Sequence, residues 1–346
     1  MKSKTLVFRS PVLPISFRLK KRVLFIWLAL LLLTLTVLVM DVFWGEYRIP
    51  PLAVVQTLLG IDTDNADYSF AVYTLRLPRI LVACLVGMAL AVSGAIIQGV
   101  TRNPLAAPEI IGINAGASLA AVGLIVLFPN APTVMLPFAA FGGALTVSLL
   151  IYLLAWQGGI HPIRLILIGV GIASIAGALT SFMVALGEIN SVSQALVWLA
   201  GSVYGRSWPQ VFSLLPWLAV FLPLTLLQAE QLDILNLGEE VAQGLGSKVA
   251  WQRIFFLLIS SALAGAAVAT AGTIGFVGLI APHIARQLVG TLHGSLIPVA
   301  AMMGGMIVVI ADFLGRIVFA PLELPCGIIT ALIGAPYFVY LLVKNP

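Results

Sequence analysis

Charge is scarce in this chain. Only 9% of its 346 residues are Asp, Glu, Lys or Arg, whereas 61% are hydrophobic. A soluble domain carries about 25% charged residues, so this composition excludes an ordinary water-soluble fold and leaves a polytopic membrane protein. Cysteine is nearly absent too. Cys84 and Cys326 both lie in or beside apolar runs, and two such thiols build neither a disulfide framework nor a metal-ligand spacing. They read as small packed hydrophobes. His161, His283 and His293 are the only histidines and form no i, i+4 pair of ligands, which speaks against a metal centre or an embedded reductase. Met302, Met303 and Met306 cluster within one run and read as packing rather than a metal path. No G-x-x-x-x-G-K-[ST] phosphate loop occurs, since the "GLGSK" at Gly244–Lys248 lacks the spacing. The acids fall nearly all in loops or at the ends of runs. Asp312 alone nears a membrane interior, whereas ion-coupled carriers place ionisable groups at mid-membrane. No catalytic residue, cofactor or metal site is expected, and nothing points to nucleic acid.

What is there is a series of apolar runs. Lys2, Lys4, Arg9, Arg18, Lys20, Lys21 and Arg22 precede the first acid, Asp41. The run from Val23 to Met40 leads into "DVFWGEY" without a small-residue cleavage site. Residues 1–22 therefore read as a cytoplasmic tail, and the run as a retained first helix. Runs near the ~20-residue spanning length give ten helices, at about 23–43, 78–98, 107–128, 133–155, 164–186, 210–228, 252–272, 274–289, 296–319 and 326–344. The stretch "SVSQALVWLAGSVYGRSW" between the fifth and sixth reads as a short surface helix. This layout puts 13 of the 18 Lys and Arg on the inner side and 5 outside, the bias that the positive-inside rule requires. It also puts Arg76 and Arg79 outside, in "LRLPRILVAC", on the first turn of a helix that starts at Pro78. Arg316 adds a third outer arginine, with Asp312 four residues earlier on the same helical face.

The chain matches itself weakly. "LAVSGAIIQG" (Leu90–Gly99) is similar to "VATAGTIGFVG" (Val268–Gly278), aligning Gly94 with Gly272. "PLAAPEIIG" is similar to "GLIAPHIAR", aligning Pro108 with Pro282, and Gly142-Gly143 pairs faintly with Gly304-Gly305. The copies enter the membrane from opposite sides, so the repeat is inverted, a construction of transporters. Its halves run approximately 76–187 and 252–344. Interruptions at Asn103-Pro104 and Ala281-Pro282 are expected to break helices where backbone lines a cavity.

The longest inner connection, Ala229 to Arg253, contains Glu239, Glu240, Ala242 and Gln243, which favour a short helix. Gly246 is placed to close it and Ser247 to cap the next helix. Leu237, Val241, Ala242 and Leu245 form an apolar stripe with no helix of its own to cover it. The weak net charge argues against an anionic lipid surface, so a protein partner is expected to cover it. With no nucleotide site and no ion relay in the chain, energy for transport has to come from another subunit.

"RLPRILVACLVGMALAVSGAIIQGVTRNPLAAPEIIGINAGA", "LGEEVAQGLG", "GTIGFVGLIAPHIAR" and "LPCGIITALIGAPYFVYLL" together resemble the FecCD-type permeases, the membrane subunits of bacterial ABC importers for iron–siderophore complexes, haem and vitamin B12. The resemblance spans nearly all of residues 23–344. It implies an all-α polytopic membrane protein of about ten transmembrane helices with an inverted internal repeat (type II ABC importer permease-like), one permease domain over 23–346 with a coupling segment at 229–251. It implies a bacterial inner-membrane location with both termini cytoplasmic, a second permease subunit (identical or paralogous), two cytoplasmic ABC ATPase subunits, and a periplasmic or lipid-anchored substrate-binding protein. By position it assigns binding-protein docking to Arg76, Arg79 and Arg316, and ATPase coupling to Gly238, Glu239, Ala242, Leu245 and Gly246. Asn103 and Leu105 match a cytoplasmic gate. The second gate falls at Pro162 and Ile163, where members of the family carry small hydroxyl residues, so its chemistry here differs. Iron–siderophore is the expected cargo as the family's commonest, with haem or vitamin B12 the alternatives and an ion-coupled secondary carrier the competing class.

Overall fold

The computed structural model describes residues 5–9, 16–44, 49–61, 65–156, 162–318 and 320–344. The membrane domain is all-α, and the tail ahead of it forms a short hairpin, β1 (Thr5–Arg9) antiparallel to β2 (Ser16–Lys20), with Leu6 opposite Leu19 and Phe8 opposite Phe17. Residues of β2 alternate apolar and polar, and β1 is centred on the short apolar run Leu6–Phe8, patterns that suit strands. The α-helices described after the hairpin are α1 (Lys21–Phe43), α2 (Pro51–Leu58), α3 (Ala66–Ser69), α4 (Leu77–Thr101), α5 (Ile113–Leu127), α6 (Met135–Ala155), α7 (Pro162–Leu186), α8 (Ile189–Ala200), α9 (Trp208–Leu227), α10 (Ala229–Asn236), α11 (Glu239–Gly244), α12 (Val249–Ala271), α13 (Val277–Val289), α14 (His293–Ile317) and α15 (Cys326–Lys344).

Eight of these are long and apolar enough to cross a membrane, each overlying one of the expected spans. The third and eighth expected spans are broken elements. Residues 107–128 divide into a 3-10 turn (Pro108–Ile111), Gly112 at φ 73°, and the 15-residue α5, while residues 274–289 reduce to the 13-residue α13. The break in the second copy also falls earlier than expected. Pro282 lies inside α13, and the chain leaves helix between Gly272 (φ 74°) and Phe276 (φ 66°). The proline ring removes the N–H that would take the Gly278 carbonyl. That carbonyl faces α4, where a Cβ on Gly94 would stand 1.8 Å from its oxygen.

Pro78 holds a second difference. It does not start the helix, because α3 runs through a π-turn (Phe70–Arg76) directly into α4, making one helical stretch from Asp67 to Thr101. The wider π ring leaves room for a proline that an α-helix interior would reject. Leu77 donates five residues back, to Val72. Pro78 cannot do the same for Tyr73, whose carbonyl takes the Trp208 indole N–H at 2.9 Å instead.

The core is built from α4, α12 and α14, with 78%, 83% and 72% of their central residues buried against 11% for α1. Helices α4 and α14 run antiparallel in near contact. A Cβ on Gly87 would lie 2.1 Å from the Gly304 carbonyl oxygen, and one on Gly304 would lie 2.3 Å from that of Gly87. Between α4 and α12, Ser93 and Ser260 bond reciprocally: each hydroxyl reaches the other's carbonyl (3.0 and 3.3 Å), with the two oxygens 2.7 Å apart. Two pairings recur between the halves, α5 on α6 as α13 on α14, and α6 on α12 as α14 on α4. Met303 and Met306 pack in the core beside Ala91 and Ala281. Cys326 is buried and Cys84 half-buried, both as free thiols.

Because backbone meets backbone at Gly87 and Gly304, Gly304→Val is expected to destabilise the protein by about 3 kcal/mol through overpacking. Leu149→Ala, on the exposed face of α6, should stay within about 0.5 kcal/mol. Thermal unfolding of the detergent-solubilised protein checks both.

Candidate functional site

Polar groups concentrate at the two ends of the bundle. At one end, Arg79 on α4 faces Asp312 on α14. Its Nε donates to Asp312 Oδ2 and its Nη2 to Oδ1, both at 2.9 Å, a two-pronged pairing. Glu323, ahead of α15, takes the other edge of the same guanidinium at 2.9 and 3.3 Å. Tyr204 stacks 5.4 Å from its centre. Arg316 pairs with Asp41 at the end of α1 and lies 3.6 Å from Asp312. Arg76 donates to the Val42 carbonyl at 2.7 Å and to that of Phe43 at 3.5 Å. Asp41 and Asp312 are 1% exposed. Carboxylates so deeply placed need cations, since a buried charge that loses its partner costs several kcal/mol.

The three arginines singled out in the sequence therefore lie at one end, and the expected Asp312–Arg316 contact exists, but it is the weaker one. Asp312 accepts its closest bonds from Arg79, and Arg316 donates its own to Asp41. Asp41 and Glu323 were not among the expected site residues. Asp41 carried one signal, as the first acid after forty residues and at the end of a spanning run. Arg206, in the loop after α8, has a buried Nε with no hydrogen-bond partner among the described residues, and burial pulls its pKa below the usual guanidinium value.

At the opposite end, α4 terminates at Arg102 (φ 53°), and the Asn103 side-chain oxygen accepts the Leu105 N–H at 2.9 Å, the turn that this residue type favours. Leu105 packs with Leu279, Ile280 and Leu341, so the Asn103–Leu105 loop meets α13 and α15. Ile163, at the start of α7, is 75% exposed. His161 lies outside the described residues, and the side chain of Pro162 does too.

The connection from α9 to α12 forms two helices, α10 and α11. Gly238 (φ 110°) precedes α11 and Gly246 (φ 82°) follows it. Glu239 reaches back to Arg253 on α12 at 3.1 Å. Leu237, Val241 and Leu245 stand 61%, 49% and 61% exposed. Ala242, expected in the same stripe, is fully buried on the inner face, because a step of one residue turns a helix by about 100°. Ser247 does not cap α12. Its hydroxyl lies 3.4 Å from Gln231 instead, and Lys248 takes the N-cap position without a side-chain bond.

Two aqueous-end polar clusters joined by a broken-helix core suit a membrane transporter, and a family model for the FecCD transport family matches residues 31–344. The chain belongs to the FecCD transport family. This FecCD chain is 43% identical to the Fe(3+)-citrate import system permease protein YfmE of Bacillus subtilis, over 94% of its own length and 96% of the other. It is likewise 43% identical to the Fe(3+) dicitrate transport system permease protein FecD of Escherichia coli, over 80% and 86%. With the hemin transport system permease protein HmuU of Yersinia pestis it shares 40% identity over 84% and 88%. Among solved structures, an inward-facing metal-chelate type ABC transporter superposes with a TM-score of 0.82 at 30% identity, covering 92% of this chain and 99% of that one. The FecCD chain is thus a helical membrane permease with the fold of an ABC transporter subunit.

Because Asp312 is buried against Arg79, Arg79→Met should cost about 3–5 kcal/mol by leaving that carboxylate uncompensated, whereas the double variant Arg79→Met with Asp312→Leu should recover most of it. Thermal melts of the two singles and the double, read as a mutant cycle, check this.

Proposed function

We propose that this chain is the permease subunit of a bacterial ABC importer for iron–siderophore or ferric carboxylate complexes. The end bearing Arg79 faces outward, and α10 and α11 face the cytoplasm, as do both termini. The observation that carries the cargo is likeness over almost the full length to relatives named for ferric citrate import. The hemin relative at 40% identity favours haem as the second reading. Residues 1–22 serve as a cytoplasmic tail, and 23–346 form one permease domain whose inverted halves, 76–187 and 252–344, meet at the Ser93–Ser260 crossing. A second permease subunit completes the central path.

An ATPase seats on the uncovered Leu237, Val241 and Leu245 stripe, with Gly238 and Gly246 setting the ends of α11, Glu239 tying it to α12 and Ala242 fastening its inner face. The 229–251 segment then moves with the ATPase. Asn103 and Leu105 close the cytoplasmic side of the path, and Pro162 with Ile163 close it from α7 by apolar contact.

Outside, a binding protein docks over Arg76, Arg79 and Arg316. Internal acids hold Arg79 and Arg316 in place and backbone carbonyls hold Arg76, so docking relies on the positive field of the surface and on shape rather than on newly formed buried pairs. Such a field speeds and orients encounter and is screened by salt over about 8 Å at physiological strength.

In proteoliposomes holding the permease, its ATPase and its binding protein, 55Fe-ferric citrate should accumulate only with ATP. Uptake by the permease alone under an ion gradient would overturn the proposal. Arg206→Glu should slow binding-protein association by about tenfold at low salt, with little change at high salt, measured by stopped-flow on nanodisc-held complex.

A further inference from the structure

Asp233 on α10 touches the core through a single side-chain oxygen that does two things. Its Oδ1 accepts the backbone N–H of His293 at 2.9 Å and lies 2.6 Å from His293 Nδ1. A carboxylate only accepts, so Nδ1 is the donor. His293 is the first residue of α14, and the N-cap position, Leu292, offers no side-chain bond. Asp233 therefore caps α14 from another helix, placing an anion at the end of the helix that attracts one.

The His293 ring is fully buried, and its Nε2 has no partner among the described residues. It rests on α4 at Gly99, where a Cβ would lie 2.8 Å from Nε2 and 3.3 Å from Leu232 of α10. Helices α4, α10 and α14 thus meet at one point with no slack.

From that point α4 and α14 travel together. They interlock at Gly87 and Gly304 in the middle and are clamped at the far end by Arg79 and Asp312. A helix of 25 residues is about 37 Å long, so this pair reaches from α10 to the arginine cluster as one stiff body.

We propose that the Asp233 carboxylate, by capping α14 through His293, is the joint through which the α10–α11 segment moves the α4–α14 pair. This rests on the reading that an ATPase drives α10 and α11. Asp233 and His293 are positioning residues, because the proposed role acts through the start of α14. The movement of α11 with the ATPase is carried by α10 into a tilt of the α4–α14 pair, and so reaches the binding-protein face without passing through the exposed helices α6 and α7.

The test uses the complete importer in proteoliposomes with 55Fe-ferric citrate as the probe. ATP hydrolysis, iron uptake and ATPase co-purification are measured on the same preparations. Asp233→Ala should lower uptake about tenfold while hydrolysis persists, raising the ATP used per iron carried by a similar factor. Asp233→Asn keeps an oxygen that accepts both bonds and should hold uptake within about threefold of wild type. Gly99→Ala, which presses on His293 from the other side, should uncouple in the same sense.

An unchanged ATP-to-iron ratio in Asp233→Ala, or a parallel fall of hydrolysis, uptake and co-purification in both Asp233 variants, would overturn the joint and leave the transport reading intact. Failure of the wild-type importer to accumulate iron with ATP would overturn both.

Discussion

The close approach of α4 and α14 is the constraint on which the rest of the molecule depends. Lipid tails are as apolar as leucine, so helices in a membrane gain little by hiding from their surroundings and associate through tight packing and polar contacts. At Gly87 and Gly304 there is no side chain on either helix, and each backbone carbonyl occupies space that a Cβ would need. Once these two helices lie together, Arg79 is opposite Asp312 and Gly99 is beneath His293. Both polar contacts are consequences of an antiparallel register that the glycines permit.

The same register explains why so few charges can be buried safely. Arg79 and Arg316 share Asp312, and each has a further acid, Glu323 or Asp41, brought from a different part of the chain. The cluster ties the end of α1, the start of α4, the end of α14 and the approach to α15 into one unit. A surface built in this way is positioned before any partner arrives, which lowers the ordering cost of an encounter.

Broken helices supply the second design element. After α4 and again after α12 the chain abandons helix, and the following short helices, α5 and α13, carry it back. Freed backbone groups there find particular partners: after α4 the Leu105 N–H meets Asn103, and at the end of α12 the Ala271 carbonyl takes the Ser202 N–H. Irregular backbone at such depth is tolerated only where protein or a cavity receives it. The breaks are therefore tied to specific residues.

Composition and apolar run length alone determine that this is a many-span helical membrane protein, because a residue's cost in lipid is local and adds along the chain. The eight long spans were legible for that reason, and the break at Asn103-Pro104 and Gly246 at the end of α11 were legible from their local residue types. Pro78 and Pro282 were misleading, because whether a proline breaks a helix depends on what receives the carbonyl it frees, Trp208 in one case and the face of Gly94 in the other. Asp233 gave no signal as the cap of α14, lying 60 residues away from His293. Only tertiary structure decides such pairings: a charge cluster or a trans cap joins residues whose sequence separation carries no information about their distance in the packed bundle.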